Sequence, residues 1–189
     1  MTKHTLIDHI KAYVTSSDNE LSEIVGFFNT CSYNKKATLL PAGKRCDKLF
    51  FVVKGCLCLY FIDGSGNQKT IQFAIENWWL TDFLAFQNQK PSNFYIEAVE
   101  HSEVLAISFS KYQELLCKFP KMETYFRTIY EIAYGAALMR LKYINSFSKE
   151  DMFFRFRDDF PEFVQRVPQY LLASFLGLTP EYLSEIKRK

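Results

Sequence analysis

The spacing of apolar residues changes period twice along the chain, and the two changes divide it into three stretches. From Leu6 to Phe28 apolar positions recur at helical spacing, with Leu21, Ile24, Val25 and Phe28 on one side and Ser17 or Asp18 placed as a cap, which predicts a helical covering element. From Thr38 the period shortens. Residues 49–75, LFFVVKGCLCLYFIDGSGNQKTIQFAI, are rich in Val, Ile, Phe and Tyr, and Asp63-Gly64-Ser65-Gly66 supplies a hairpin turn. The runs 94–99 and 104–107 carry the strand region to about Ser108, and this succession of short strands predicts an antiparallel barrel or jelly roll.

From Pro120 the helical period returns. Met122, Phe126, Ile129, Ala133, Ala136 and Arg140 alternate spacings of four and three, a seam suited to a partner helix, while Tyr125, Ile132, Leu138 and Leu141 form a second apolar side. A dimerisation helix is therefore expected over 120–145, with Phe126, Ile129, Ala133, Ala136 and Arg140 at the interface and Gly135, Ala136 and Ala137 letting backbones approach. The alternative is a core helix of a monomer. Ser148 is placed to cap the helical segment that follows.

The last stretch, RVPQYLLASFLGLTPEYLSEIKRK from Arg166 to Lys189, reads as two short helices around a tight turn. Leu171, Leu172, Phe175 and Leu176 fall at near-helical spacing, Gly177 can take the positive φ that ends a helix, and Leu178 plugs the corner. Thr179 is a good N-cap, Pro180 suits the first helical position, and Glu181 is favoured in the first turn. With Leu183 and Ile186 inward, Glu181, Tyr182, Ser184, Glu185, Lys187, Arg188 and Lys189 face outward, as in a helix-turn-helix that lays its second helix in a DNA major groove. Gln169 and Thr179 join them as candidate DNA contacts. An ordinary helical hairpin fits the same pattern.

Composition narrows the function classes. The net charge of +2 is too small for the whole surface to attract nucleic acid, so any DNA contact is local. The terminal stretch holds four basic residues, Arg166, Lys187, Arg188 and Lys189, against Glu181 and Glu185. A dimer would present that surplus twice. The five cysteines include no CxxC pair and match neither a disulfide framework nor a zinc or iron–sulfur site, and Cys56 and Cys58 read as buried thiols. No apolar run approaches the ~20 residues needed to span a bilayer, and the start MTKHTLIDHIK lacks the apolar core of a secretion signal, so a cytoplasmic location and no membrane partner are expected.

The order of the parts, an α+β chain of barrel, long helix and terminal helix-turn-helix, resembles the bacterial regulators of the cyclic-AMP receptor protein and fumarate/nitrate regulator (Crp/Fnr) superfamily. The resemblance rests on Pro41-Ala42-Gly43-Lys44, on 49–60 with Gly55, on Asn77-Trp78-Trp79-Leu80-Thr81-Asp82 and Pro91-Ser92-Asn93. It continues through Phe119-Pro120, Val167-Pro168-Gln169-Tyr170 and Leu176-Gly177-Leu178-Thr179-Pro180. It implies a cyclic-nucleotide-binding-like sensor domain over 1–119, a dimerisation helix over 120–145 and a DNA-binding domain over 146–189. It also implies a homodimer on double-stranded DNA at a palindromic operator, with RNA polymerase and a small-molecule effector as further partners.

Departures from the family pattern bear on the effector. Members that bind cyclic nucleotides have a glycine-glutamate pair for the ribose and an arginine followed by serine or threonine for the phosphate. Here Leu80-Thr81-Asp82 replaces the first, and Ser92-Asn93 stands at the second, so no cation of the cassette pairs with a phosphate. Lys90 nearby is a poor bidentate substitute. Trp79, Leu80, Thr81, Asp82, Ser92 and Asn93 are the candidate effector-pocket residues, for a ligand other than cyclic AMP or for none, and no cofactor or metal is expected. An enzyme of the cupin kind would need an HxH pair with further ligands, whereas His4, His9 and His101 are far apart. No Gly-rich phosphate loop or nucleophile motif is found, and a non-enzyme is expected. The remaining alternative is a regulator-like protein that has lost DNA binding and acts through protein contacts, because Glu185 stands where many relatives carry an arginine.

Overall fold

The computed structural model describes residues 2–188, and the chain divides into two compact units: Met1–Phe61 with Gln72–Ile129, and Ile62–Ile71 with Tyr130–Lys189. The expected boundaries at 119/120 and 145/146 differ from this division. The hairpin tip 62–71 joins the second unit, and the long helix is shared, its residues through Ile129 lying in the first.

The first unit opens with helices α1 (Thr2–Lys11) and α2 (Asp18–Gly26) in place of one continuous helical stretch. The chain breaks between them because Ser17 is extended (φ −71°, ψ 158°) and closes a capping box with Glu20 at the start of α2. Strands β1 (Asn29–Tyr33), β2 (Thr38–Leu40), β3 (Lys48–Lys54), β4 (Leu57–Ile62), β5 (Gln68–Ala74), β6 (Trp79–Leu80), β7 (Tyr95–Ala98) and β8 (Ser102–Ser108) follow, with the short helix α3 (Phe83–Asn88) between β6 and β7. They form two four-stranded sheets, ordered β1-β8-β3-β6 and β2-β7-β4-β5. This is the expected jelly roll. Cys56 and Cys58 are both buried, and burial pushes the Cys58 thiol up to about 12. Gly55 has a positive φ of 104°, and a Cβ there would stand 2.4 Å from Ser102 Oγ, so the β3–β4 turn closes against the start of β8 only with glycine.

Helix α4 (Phe109–Lys118) and the part of α5 (Lys121–Ser146) through Ile129 complete the unit. Ser108 caps α4, whose existence the sequence reading missed. The N-terminal part of α5 is a core element: Met122, Tyr125, Phe126 and Ile129 are all buried. Phe126 packs edge-on against Trp79, Tyr112 and Tyr125 of its own chain. Phe126 and Ile129, expected at a subunit interface, are thus buried in the core of their own chain.

At the foot of α5, Trp79 Nε1 donates to Tyr125 Oη at 3.0 Å, and His9 Nδ1 lies 2.7 Å from the same oxygen. Indole N–H can only donate, and the phenol either donates to an unprotonated His9 Nδ1 or accepts from a protonated one. Burial lowers the His9 pKa from its ordinary value of 6.5. The unfolded chain therefore takes up a proton on this ring before the folded one does. Stability from neutral His9 is complete above about pH 6.5 and is lost as pH falls from there toward the depressed folded value. Thermal melts should drop more between pH 7.5 and 5 for the native chain than for His9→Gln. Equal pH dependence in the two would assign the loss to other groups.

The second unit holds the hairpin tip, the C-terminal part of α5, and helices α6 (Lys149–Asp159), α7 (Pro161–Arg166), α8 (Gln169–Leu176) and α9 (Pro180–Ile186). Ser148 caps α6 by accepting from Asp151 N. Phe153, Leu172, Ala173, Leu176, Leu178, Leu183 and Ile186 form its core, with Phe156, Phe163 and Phe175 packed against them. In α5, Ile132, Leu138, Met139, Leu141 and Ile144 are exposed, Ala136 is exposed and Ala133 half-buried. Arg140 turns inward: its guanidinium donates to the carbonyls of Ile71 and Phe175 and lies 4.1 Å from the Phe175 ring centroid. It too is spent within the chain, where an interface contact was expected.

Candidate functional site

Two groups of candidate residues fall in different units. In the second unit, the corner between α8 and α9 is built as the residues predict. Gly177 takes the left-handed conformation (φ 69°) and its N–H reaches back to Ala173 and Ser174, while Leu178 is buried in the corner. Thr179 caps α9 by accepting from Tyr182 N at 3.2 Å, with Pro180 in the first turn. Leu183 and Ile186 are fully buried, which fixes the rotation of α9. Glu181, Tyr182, Glu185, Lys187 and Arg188 are left exposed, as is Thr179, and Ser184 is half-buried. Lys189 lies outside the described residues.

Gln169 and Ser184 were each expected to meet DNA, and the structure first joins them to each other: Gln169 Nε2 donates to Ser184 Oγ at 2.6 Å. This bond ties the first turn of α8 to the middle of α9. The Gln169 carbonyl and the Ser184 hydroxyl proton are the groups they have left to offer. The outward surface carries two carboxylates, Glu181 and Glu185, one turn apart, followed by Lys187 and Arg188. Its chemistry divides along the helix: hydrogen-bond acceptors and an aromatic ring at the N-terminal end, cations at the C-terminal end.

In the first unit, the six candidate effector residues separate. Trp79 and Leu80 form β6 and are buried in the core, Trp79 among the rings of Phe28, Phe51, Tyr125 and Phe126. Asn93 is exposed. Thr81, Asp82 and Ser92 are brought together behind α3. Asp82 is the N-cap of α3, one carboxylate oxygen accepting from Ala85 N at 3.1 Å and the other from Ser92 Oγ at 2.8 Å. Ser92 Oγ in turn accepts from Phe94 N, and Thr81 Oγ1 donates to the Lys48 carbonyl and lies 3.1 Å from Cys46 Sγ. All three side chains are buried.

The start of α3 already faces the Asp82 carboxylate, which would repel a second anion placed there. The Asp82–Ser92 bond spans ten residues, and no local sequence signal announces it.

Comparison with known proteins agrees with this architecture. Residues 30–118 match the family described as the cyclic nucleotide-binding domain. The cAMP-activated global transcriptional regulator Vfr of Pseudomonas aeruginosa is 26% identical over 98 residues, 50% of this chain and 46% of its own length, so the match spans about half of that relative. Among solved structures, FixK2 from Bradyrhizobium japonicum superposes with a TM-score of 0.70 at 13% identity, covering 85% of this chain and 83% of that one. The c-di-GMP responsive global regulator CLP from Xanthomonas campestris gives 0.71 at 12% identity, covering 91% and 90%.

Proposed function

We propose that this chain is a DNA-binding transcriptional regulator of the Crp/Fnr type, acting as a homodimer and not through cyclic AMP, a reading supported by the match of residues 30–118 to the cyclic nucleotide-binding domain and by the fold shared with FixK2 and CLP. The observation that carries this reading is the corner between α8 and α9, whose buried Leu183 and Ile186 hold Tyr182, Lys187 and Arg188 outward on an exposed helix. Selection of bound sequences from random duplexes with the purified full chain tests it. An enriched palindrome supports both the activity and the two-fold assembly, and recovery of no sequence above background would remove DNA binding.

The fold does not name the effector. One relative is described as cAMP-activated and a structural neighbour as c-di-GMP responsive, which supports the view that this architecture serves more than one ligand. For this chain, calorimetry with cyclic AMP and cyclic GMP should show no binding up to millimolar ligand, Ser92 and Asn93 standing where the phosphate would need an arginine. Micromolar binding of either would mean that Asp82 and Ser92 part to admit it.

A second reading is favoured by one feature, the pair of exposed carboxylates Glu181 and Glu185 on α9. They oppose phosphate and suit a basic protein surface. In this reading the chain keeps the regulator fold and acts by protein contact. For the dimer, the exposed part of α5 supports a seam along Ile132, Gly135 and Met139, spaced three and four, with Leu138 beside it. Contact with RNA polymerase belongs to the regulator reading and follows from no surface feature of its own. Among the described residues no helix is long and apolar enough to cross a membrane.

A further inference from the structure

The tip of the β4–β5 hairpin is stiff in itself. Asp63 Oδ1 accepts from Ser65 N and Asn67 N, both at 2.9 Å, and Asp63 N donates to the Asn67 carbonyl at 2.9 Å, so the turn is closed by its own side chain. β5 is an end strand of its sheet. Ser174, near the end of α8, treats it as a neighbouring strand would: its Oγ accepts from Thr70 N at 2.8 Å and donates to the Gln68 carbonyl at 2.9 Å. Arg140, from α5, spans the same two partners, donating to the Ile71 carbonyl on the hairpin and to the Phe175 carbonyl on α8 at 2.7 Å. Its guanidinium plane also stacks near the Phe175 ring.

The contact is specific but incompletely satisfied. Thr70 Oγ1 and Gln68 Nε2 are buried beside these bonds without a hydrogen-bond partner among the described residues. Docking removes them from water for no return, and undocking restores their hydration, which offsets part of what the four bonds contribute. A junction with strong bonds and unpaired neighbours is suited to opening and closing.

We propose that Arg140 and Ser174 form a latch that fastens the hairpin tip to α8, so that a displacement along β4 and β5 is passed to the helix pair α8–α9 and release of the latch frees both partners together. The consequence for DNA rests on the regulator reading, and the latch itself does not. Both are positioning residues: neither needs to touch DNA or an effector.

Amide hydrogen exchange on the full chain tests it, with Arg140→Gln, Ser174→Ala and, as a control on the exposed side of the same helix, Lys142→Gln. Each latch variant should speed exchange by about tenfold or more in both 68–71 and 172–176, leaving 49–54 and 104–107 as protected as in the native chain. Arg140→Lys should behave like Arg140→Gln, because a single ammonium does not bridge two carbonyls as the planar fork does. The control should change nothing. If Ser174→Ala loosens α8 alone, or if Arg140→Gln loosens the whole second unit evenly, the coupling is wrong and these residues only pack. With a selected duplex in hand, the latch variants should shift its Kd while Lys142→Gln leaves it. Absence of any bound duplex would sink the regulator reading, and the exchange result would still decide the latch.

Discussion

Replacing Ile132 and Met139 together by glutamate is expected to convert the proposed dimer to a monomer without unfolding it. Both side chains are on the part of α5 that its own chain leaves bare, Ile132 being 40% and Met139 45% exposed. As a monomer the variant pays nothing for two more surface charges. In a two-fold seam it would bury four unpaired carboxylates, each costing several kcal/mol, and since 1.4 kcal/mol is tenfold in Kd the dimer should weaken by more than about a thousandfold. Ile129→Glu provides the contrast. Ile129 is 5% exposed in the first unit's core, so its carboxylate would be buried in every state and should lower the melting temperature instead of merely splitting subunits. Sedimentation and thermal melts separate the two outcomes. A double variant that still sediments as a dimer would place the seam elsewhere, the Tyr134 and Leu141 side of the helix being next.

That contrast marks where the sequence was legible and where it stopped. The alternation of four and three from Met122 to Arg140 correctly announces a helix, whose stripe is buried through Ile129 and exposed at Ala136, but periodicity does not say whether a stripe meets the chain's own core or another subunit. Here it meets the core, through Met122, Phe126 and Ile129, then bends its role at Arg140 to hold a hairpin tip. The jelly roll was readable because residues 49–75 combine strand formers with a turn that only Asp63 and its glycines could make. Helices α4 and α3 were not, being short and placed beside strands whose β-forming residues dominate any window.

The two candidate sites differed for a related reason. The corner between α8 and α9 depends on local rules of capping, left-handed glycine and three-residue spacing, and each of Gly177, Thr179, Pro180, Leu183 and Ile186 does what its type predicts. The cassette depends on contacts across the sheet. Asp82 and Ser92 were singled out because of what they are not, and their bond to each other is a tertiary fact. Trp79 and Leu80, which belong to the same sequence motif as Asp82, are both buried in β6, where Phe51 lies opposite Trp79. The Gln169–Ser184 bond was equally out of view, since it joins residues fifteen apart across the helical corner.

Glu185→Arg should strengthen binding to duplex DNA, and by more than any other single change on α9. Glu185 is exposed, one turn beyond Glu181 and on the surface that Leu183 and Ile186 force outward. At a major groove it faces phosphates with the wrong charge. Arginine in its place removes a repulsion and adds a bidentate donor, and in a dimer does so twice. If each new guanidinium engages one phosphate, the slope of log K against log salt should steepen by about two, and affinity at low salt should rise by at least about tenfold. Arg188→Ala should move the other way, flattening the slope by about one for each half-site and weakening all sequences alike. Glu181→Ala should instead relax preference at one base position by about 1–3 kcal/mol with little change in slope, because an acceptor near the start of α9 can read a cytosine amino group. The three variants thus separate backbone contact from base reading in one set of salt titrations. If Glu185→Arg and Arg188→Ala both leave the salt dependence of every duplex unchanged, α9 does not face DNA, and the exposed carboxylates are better explained as the face that meets a basic protein.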